Sequence, residues 1–258
     1  MTPELRFTRV PSLDIEILHT SGVTHVYPPH LHEEYSIGVM LAGREVMTFG
    51  EREWIAEAGD VILVNADELH ADRSIDAEYI VMKVKPAALP GVVFRTPVVR
   101  DRDVFAELSQ LLRMLISDPS AGECPFEEFI ARLLTHHANV PPAPPMKIAA
   151  IRDHLKAHFA DDVPLDELTE LAGMSRFHLL RLFREYAGVP PHEYQMQLRV
   201  AHARRLIRSG EPIVEAALET GFCDQSHLSR GFKRITGMTP GEYIAKSKIV
   251  QDRQPSRH

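Results

Sequence analysis

Apolar positions recur along the chain with two different periods, and the place where the period changes divides it. Between residues 35 and 84 the period is two. YSIGVML (35–41) turns Tyr35, Ile37, Val39 and Leu41 toward one face, and DVILVN (60–65) and EYIVMKV (78–84) are rich in β-branched residues, so all three read as strands. Ala42-Gly43 and Gly59-Asp60 supply turn formers between them. Short strands at this spacing predict a β-sandwich or barrel over residues 1–100. From Asp101 the period is helical. Val104, Phe105, Leu108, Leu111, Leu112 and Leu115 share one stripe, and a second helix is predicted from Phe126 to His137. The two helices of residues 101–137 either cover the barrel or pair with a second subunit, and their apolar stripes are the basis for expecting a homodimer. ANVPPAPPMK (138–147), with four prolines in residues 141–145, reads as an extended linker. A helical domain follows over 148–246, then a tail at 247–258.

Within the helical domain the sequence repeats itself. HLLRLFREYAGVPPHEY (178–194) recurs as HLSRGFKRITGMTPGEY (227–243) at an offset of 49 residues, with Leu179/Leu228, Arg181/Arg230, Phe183/Phe232, Gly188/Gly237 and Tyr194/Tyr243 among the coincidences. Each copy is preceded by a short amphipathic segment, LDELTELAG (165–173) or IVEAALETG (213–221), a turn at Gly173 or Gly221, and a capping residue, Ser175 or Asp224. That spacing predicts two helix-turn-helix units, 165–186 and 213–236, joined by a helix from Pro191 to Ser209 that carries Arg199, Arg204, Arg205 and Arg208. In the first unit's second helix, Leu179, Leu182, Phe183 and Tyr186 form the apolar stripe. Arg176, Phe177, Leu180, Arg181 and Arg184 fall on the opposite side. The equivalent face of the second unit holds Gln225, Ser226, Ser229, Arg230 and Lys233, groups suited to base edges and phosphates.

Charge sharpens this division. The whole chain of 258 residues carries −7, but residues 1–145 hold 12 Lys and Arg against 22 Asp and Glu, and residues 146–258 hold 17 against 14. A phosphate backbone responds to the local positive potential of the second part, so an acidic first part does not exclude nucleic acid. The two cysteines, Cys124 and Cys223, lack C-x-x-C spacing and imply neither a disulfide framework nor a structural zinc cluster. No apolar run approaches the roughly 20 residues of a membrane span, and MTPELRFTRV lacks the pattern of a secretory signal, so a cytoplasmic protein with no membrane partner is expected.

The repeated motif, S-x-x-H-L-x-R-x-F-x-x-x-x-G-x-x-P-x-E-Y followed by A-R-R-L and a second copy ending G-x-T-P-x-E-Y, resembles the DNA-binding domain of AraC/XylS-type transcription regulators over about residues 147–246. The resemblance implies that Arg176, Phe177, Leu180 and Arg181 read bases from one helix and Gln225, Ser226, Ser229 and Arg230 from the other. Leu180 can touch a thymine methyl but reads no hydrogen-bond pattern. Many members of that family carry an N-terminal cupin-like barrel that binds a small effector. PPHLHEEYSIGVMLAG (28–43) resembles the first cupin motif and GDVILVNADELH (59–70) the second, with Ser36 in the place of the metal-ligating glutamate and Asn65 and Asp67 in place of the usual proline and glycine.

Strand alternation puts His30, His32, Glu34 and Ser36 on one face, and the second motif adds His70. Three readings stay open: these residues line an effector pocket; His30, His32 and His70 hold a divalent metal, with Glu34 standing in for the missing carboxylate; or the histidines are structural. The expected protein is an α+β chain, a cupin-like barrel with flanking helices followed by an all-α double helix-turn-helix. Its expected work is to bind promoter DNA under control of an effector, without catalysis or a required cofactor. RNA polymerase is a further partner if it activates. The alternatives are a metal-sensing regulator and a metal-dependent cupin enzyme.

Overall fold

A computed structural model describes residues 4–120, 123–139 and 146–251, which fall into two compact units. The first contains β1 (Glu4–Val10), β2 (Ile15–His30) as far as Val26, β3 (Tyr35–Phe49), β4 (Arg52–Glu57), β5 (Val61–Val64), β6 (His70–Val84), β7 (Val93–Phe94), β8 (Val98–Val99), α1 (Arg102–Ser117), α2 (Glu123–His137) and β9 (Ala138–Asn139). The second contains α3 (Met146–Ala157), α4 (Leu165–Ala172), α5 (Arg176–Ala187), α6 (Pro191–Arg208), α7 (Ile213–Glu219), α8 (Gln225–Thr236) and α9 (Pro240–Gln251) as far as Ala245, together with the segment Tyr27–His32. The proline-rich part of the expected linker, residues 140–145, lies outside the described residues, as does 252–258 of the expected tail; the tail's first residues continue α9 to Gln251. No helix among the described residues is long and apolar enough to cross a membrane.

The barrel unit is an antiparallel sheet in the order β1-β2-β6-β3-β5-β8, with β4 also paired to β3. β3 is its spine, since its first half pairs with β5, its second half with β4, and nearly its whole length with β6. The expected alternation is present: Tyr35, Ile37 and Val39 enter a core shared with Leu108, Leu111, Leu112 and Leu115 of α1 and Phe126, Phe129, Ile130 and Leu133 of α2. Asp101 opens α1 by accepting from the Asp103 and Val104 amides. The leucine and phenylalanine stripes of the two helices are therefore spent on covering the sheet. The opposite face of β3 is also buried, in a second cluster of Met40, Met47, Ala56, Ile62, Val64, Ala77 and Val98 with Phe49, Trp54 and Tyr79 packed against it.

Two expectations fail here. Ala42-Gly43 does not end a strand, because β3 runs on to Phe49 through register shifts between Met40 and Ala42 and between Ala42 and Arg44. Gly43 takes φ +71° there, and a Cβ on it would lie 2.2 Å from the Asp76 carbonyl oxygen, so the chain bulges at a residue that has no side chain. Second, residues 31–34 are not extended: β2 ends at His30 and β3 begins at Tyr35, so the supposed common face from His30 to Ser36 is broken by a bend.

Each helix-turn-helix has its own core in the helical unit. Leu168 and Ala172 of α4, Leu179, Phe183 and Ala187 of α5, and Ile148, Ile151 and Leu155 of α3 enclose the first. Ala216 and Ala217 of α7 and Leu228, Phe232 and Ile235 of α8 enclose the second. α6 serves both, giving Tyr194 and Leu198 to one core and Met196, Val200, Ala203 and Ile207 to the other. Leu31 is buried in the first core, and Gln197 Nε2 donates to the Pro29 carbonyl oxygen at 3.2 Å.

Candidate nucleic-acid interface and effector pocket

The recognition helices are set by local chemistry that the two repeats share. α4 ends at Gly173, left-handed at φ +58°, whose amide donates to Glu170 while that of Met174 reaches Thr169. After this turn Ser175 caps α5 by accepting from the His178 amide at 3.4 Å, and Asp224 caps α8 by accepting from the His227 amide at 2.7 Å. Both helices stop at a left-handed glycine, Gly188 and Gly237, each at φ +76°. The second turn is tighter, since a Cβ on Gly221 would lie 2.1 Å from the Ala160 carbonyl oxygen.

Arg199 of α6, expected only as part of a charged connector, ties the units together. Its guanidinium donates to the carbonyls of Phe159 and Asp161, ahead of α4, and to that of Gly221 in the second turn, each at 2.8 Å. Gln195 adds donations to His158 at 3.1 Å and Asp161 at 2.8 Å. Burial draws the Arg199 pKa down, against the opposing pull of Asp162, Cys223 and Asp161. One helix and one cation thus fix both turns in a single frame.

The faces left open differ. On α5, Arg176, Phe177, Leu180, Arg181 and Arg184 are all exposed, Phe177 at 79% and Leu180 at 37%. Arg176 is held by Asp166 of α4 through Nε at 2.8 Å and Nη2 at 2.6 Å, and Arg181 lies 3.6 Å from Glu185. Tyr186, placed by periodicity on the apolar stripe, is instead 38% exposed and accepts from Arg152 Nη1 at 2.8 Å. On α8, Gln225, Ser226, Arg230 and Lys233 are exposed and Ser229 is half-buried. The neighbouring Arg234 pairs with Glu193 of α6 at 3.3 Å, and the His227 ring packs edge-on against Phe222 at 5.1 Å.

The residues expected around an effector divide between the units. His30 and His32 belong to the helical unit, with ring centroids 6.2 Å apart and His30 Nδ1 3.0 Å from the Pro28 carbonyl oxygen. Glu34, Ser36 and His70 belong to the barrel unit. Ser36 is buried and accepts from the Lys83 ammonium, so the position of the cupin glutamate faces a cation that repels a metal ion. His70 Nδ1 lies 2.8 Å from the Glu68 carbonyl oxygen and Nε2 lies 3.4 Å from Asp72 Oδ2; its ring stacks on Phe49 at 5.5 Å.

Glu45 and Ser74 were not expected. They face each other across β3 and β6, and Glu45 stands on the same side of its strand as Met47 and Phe49. Glu45 is 6% exposed and Ser74 fully buried. Burial pushes the Glu45 carboxyl up to about 8, the Ser74 hydroxyl pulling down and the Asp72 charge pushing up. The Ser74 hydroxyl influences the acid at this range although the pair misses good hydrogen-bond geometry, and Glu45 Oε2 finds no partner among the described residues. The register shifts between Met40 and Arg44 turn this glutamate to the face of Met47 rather than that of Tyr35.

Comparison with known proteins accords with both halves of this geometry. Residues 12–136 match the model of the AraC-like ligand binding domain, and residues 168–246 match a helix-turn-helix domain model. An uncharacterized HTH-type transcriptional regulator of Bacillus subtilis, YbfI, is 30% identical over 240 residues, covering 84% of this chain and 87% of that protein. A Staphylococcus aureus regulator, SACOL0084, is 32% identical over 126 residues, 48% of this chain but 17% of its own length. Among solved structures, ToxT from Vibrio cholerae superposes with a TM-score of 0.68 at 13% identity, covering 96% of this chain and 98% of its own, a likeness of fold; another ToxT structure, with an unsaturated fatty acid bound, gives 0.64 at 14%, covering 94% of each. The barrel and the doubled helix-turn-helix are the paired domains of an AraC-family transcriptional regulator, and the chain belongs to that family.

Proposed function

We propose that this regulator reads promoter DNA with α5 and α8 in successive major grooves and that a small effector bound in the barrel controls the reading. The observation that carries the proposal is the repeated, capped recognition helix with a polar and cationic face clear of its own core. Gln225, Ser226, Ser229 and Arg230 supply hydrogen bonds to base edges, and Lys233, Arg181 and Arg184 supply phosphate contacts. Phe177 and Leu180 supply apolar contact with thymine methyls. Two readers on one frame fit half-elements about one helical turn, ~34 Å, apart.

The effector acts by binding one conformational state better than another, which is the only way a ligand shifts occupancy of DNA. Tyr27–His32 is suited to passing that bias on, because its flanks are barrel strands while Leu31 packs in the core around α4 and α5. His70 joins the effector's lining in this proposal, with Glu45 and Ser74 as its buried polar members. A second copy of the chain is proposed to place two such readers on one promoter. Selection of duplexes from a random pool by the full chain tests the DNA reading: recovery of two conserved elements about 10 base pairs apart is expected, and a pool that stays random after selection overturns it.

A further inference from the structure

Resting on the effector reading above, we propose that the barrel's ligand is an organic cation, a primary amine on a small apolar body, whose ammonium is held by Glu45 and Ser74. The face of the sheet that carries Glu45 has two chemical zones. Met40, Met47, Ala56, Ile62 and Val64, with Trp54, make one of them apolar and polarizable. At the Glu45 end the same face turns to oxygen: the Glu45 carboxyl, the Ser74 hydroxyl across from it, and Asp72 across from Met47.

Glu45 has an oxygen without a partner while nearly fully buried, a state that costs stability and persists where a ligand completes it. The chemistry of the missing partner follows from its neighbours. Asp72 beside Glu45 repels a carboxylate or phosphate. A hard divalent ion takes six or more oxygens, and the apolar zone offers none. An ammonium brings hydrogen-bond donors to a set of acceptors and a positive charge beside acidic groups, and its hydrocarbon body matches Met47 and Trp54. Lys83, the cation of this face, sits far along β6 from Asp72 and Ser74, bonded to Ser36.

Binding should expel a proton. Near neutral pH the raised pKa keeps Glu45 protonated, and an ammonium against it lowers that pKa again, so the acid ionises as the amine enters. Isothermal titration of the full chain with 2-phenylethylammonium and with 3-phenylpropanoate, in two buffers of different ionisation enthalpy, tests this. The amine is expected to bind at least about tenfold more tightly than the carboxylate, releasing close to one proton. Glu45→Gln is expected to weaken the amine by about tenfold or more and abolish the release, and Ser74→Ala to weaken it by about threefold or more. If Glu45→Gln is not folded by circular dichroism, the wild-type charge preference and proton release decide alone. Absence of amine binding, preference for the carboxylate or for magnesium, or equal affinity in folded Glu45→Gln overturns the proposal. DNA selection by the ligand-free chain is measured separately, so a failed amine leaves the regulator standing and a failed selection removes it.

Discussion

The two helix-turn-helix repeats share a skeleton and part company at the surface. Phe183 and Phe232 fill equivalent places in their cores, Tyr194 and Tyr243 close on them with ring centroids 5.5 and 5.7 Å away, and the glycines that end α5 and α8 have the same φ of +76°. Yet α5 presents an aromatic ring and an arginine tied to Asp166, whereas α8 presents amide, hydroxyl, guanidinium and ammonium groups. The skeleton demands particular volumes and particular left-handed turns at fixed positions, and the open face demands nothing for folding. In the proposed function, hydrogen-bond discrimination is concentrated in α8, and α5 contributes shape and methyl contact.

Four measurements probe how far the two repeats are equivalent. Phe183→Ala and Phe232→Ala are each expected to cost about 3–5 kcal/mol of stability in urea unfolding followed by helical circular dichroism, because both rings are fully buried; a large cost at one and none at the other would mean the skeletons are not equivalent. Arg230→Ala should weaken specific DNA binding by about 1–3 kcal/mol and relax one base position. Asp224→Ala should cost roughly 1 kcal/mol of stability by removing the α8 cap, with Ser175→Ala smaller in line with its longer contact. Asp166→Ala should change stability by well under about 1 kcal/mol, since the pair is exposed. It should also strengthen DNA binding, by releasing Arg176 and removing a charge near the phosphates. Unchanged binding would leave Arg176 outside the interface.

Much of this was legible because duplication is legible. A motif repeated at 49 residues announces the two helices, their caps and the connecting helix before any contact is known, and the alternation at Tyr35, Ile37 and Val39 announces the spine of the barrel. Other features were not, because residues elsewhere in the chain decide them. β2 is 16 residues long, a strand that lies outside the stretch of period two between residues 35 and 84. Arg176 looked like a free reader because nothing in α5 shows Asp166 ten residues back on α4. Glu45 carried no signal in the sequence: strict alternation from Tyr35 puts it on the face of Ile37 and Val39, and the register shifts beyond Met40 put it with Met47 and Phe49 instead. The histidine pair of PPHLHEEYSIGV reads as one extended face running on to Ser36, but a bend at residues 31–34 interrupts it.

In the proposed function this chain reads sequence through α8 on a frame it shares with α5. Fluorescence anisotropy of the full chain on the selected duplex and on its scrambled counterpart, at one fixed salt concentration, measures that reading. The expected result is binding at least ~10³-fold tighter to the selected duplex, with Arg230→Ala losing about 1–3 kcal/mol there and little on the scrambled one. Equal affinity for both duplexes, unchanged by Arg230→Ala, would contradict it.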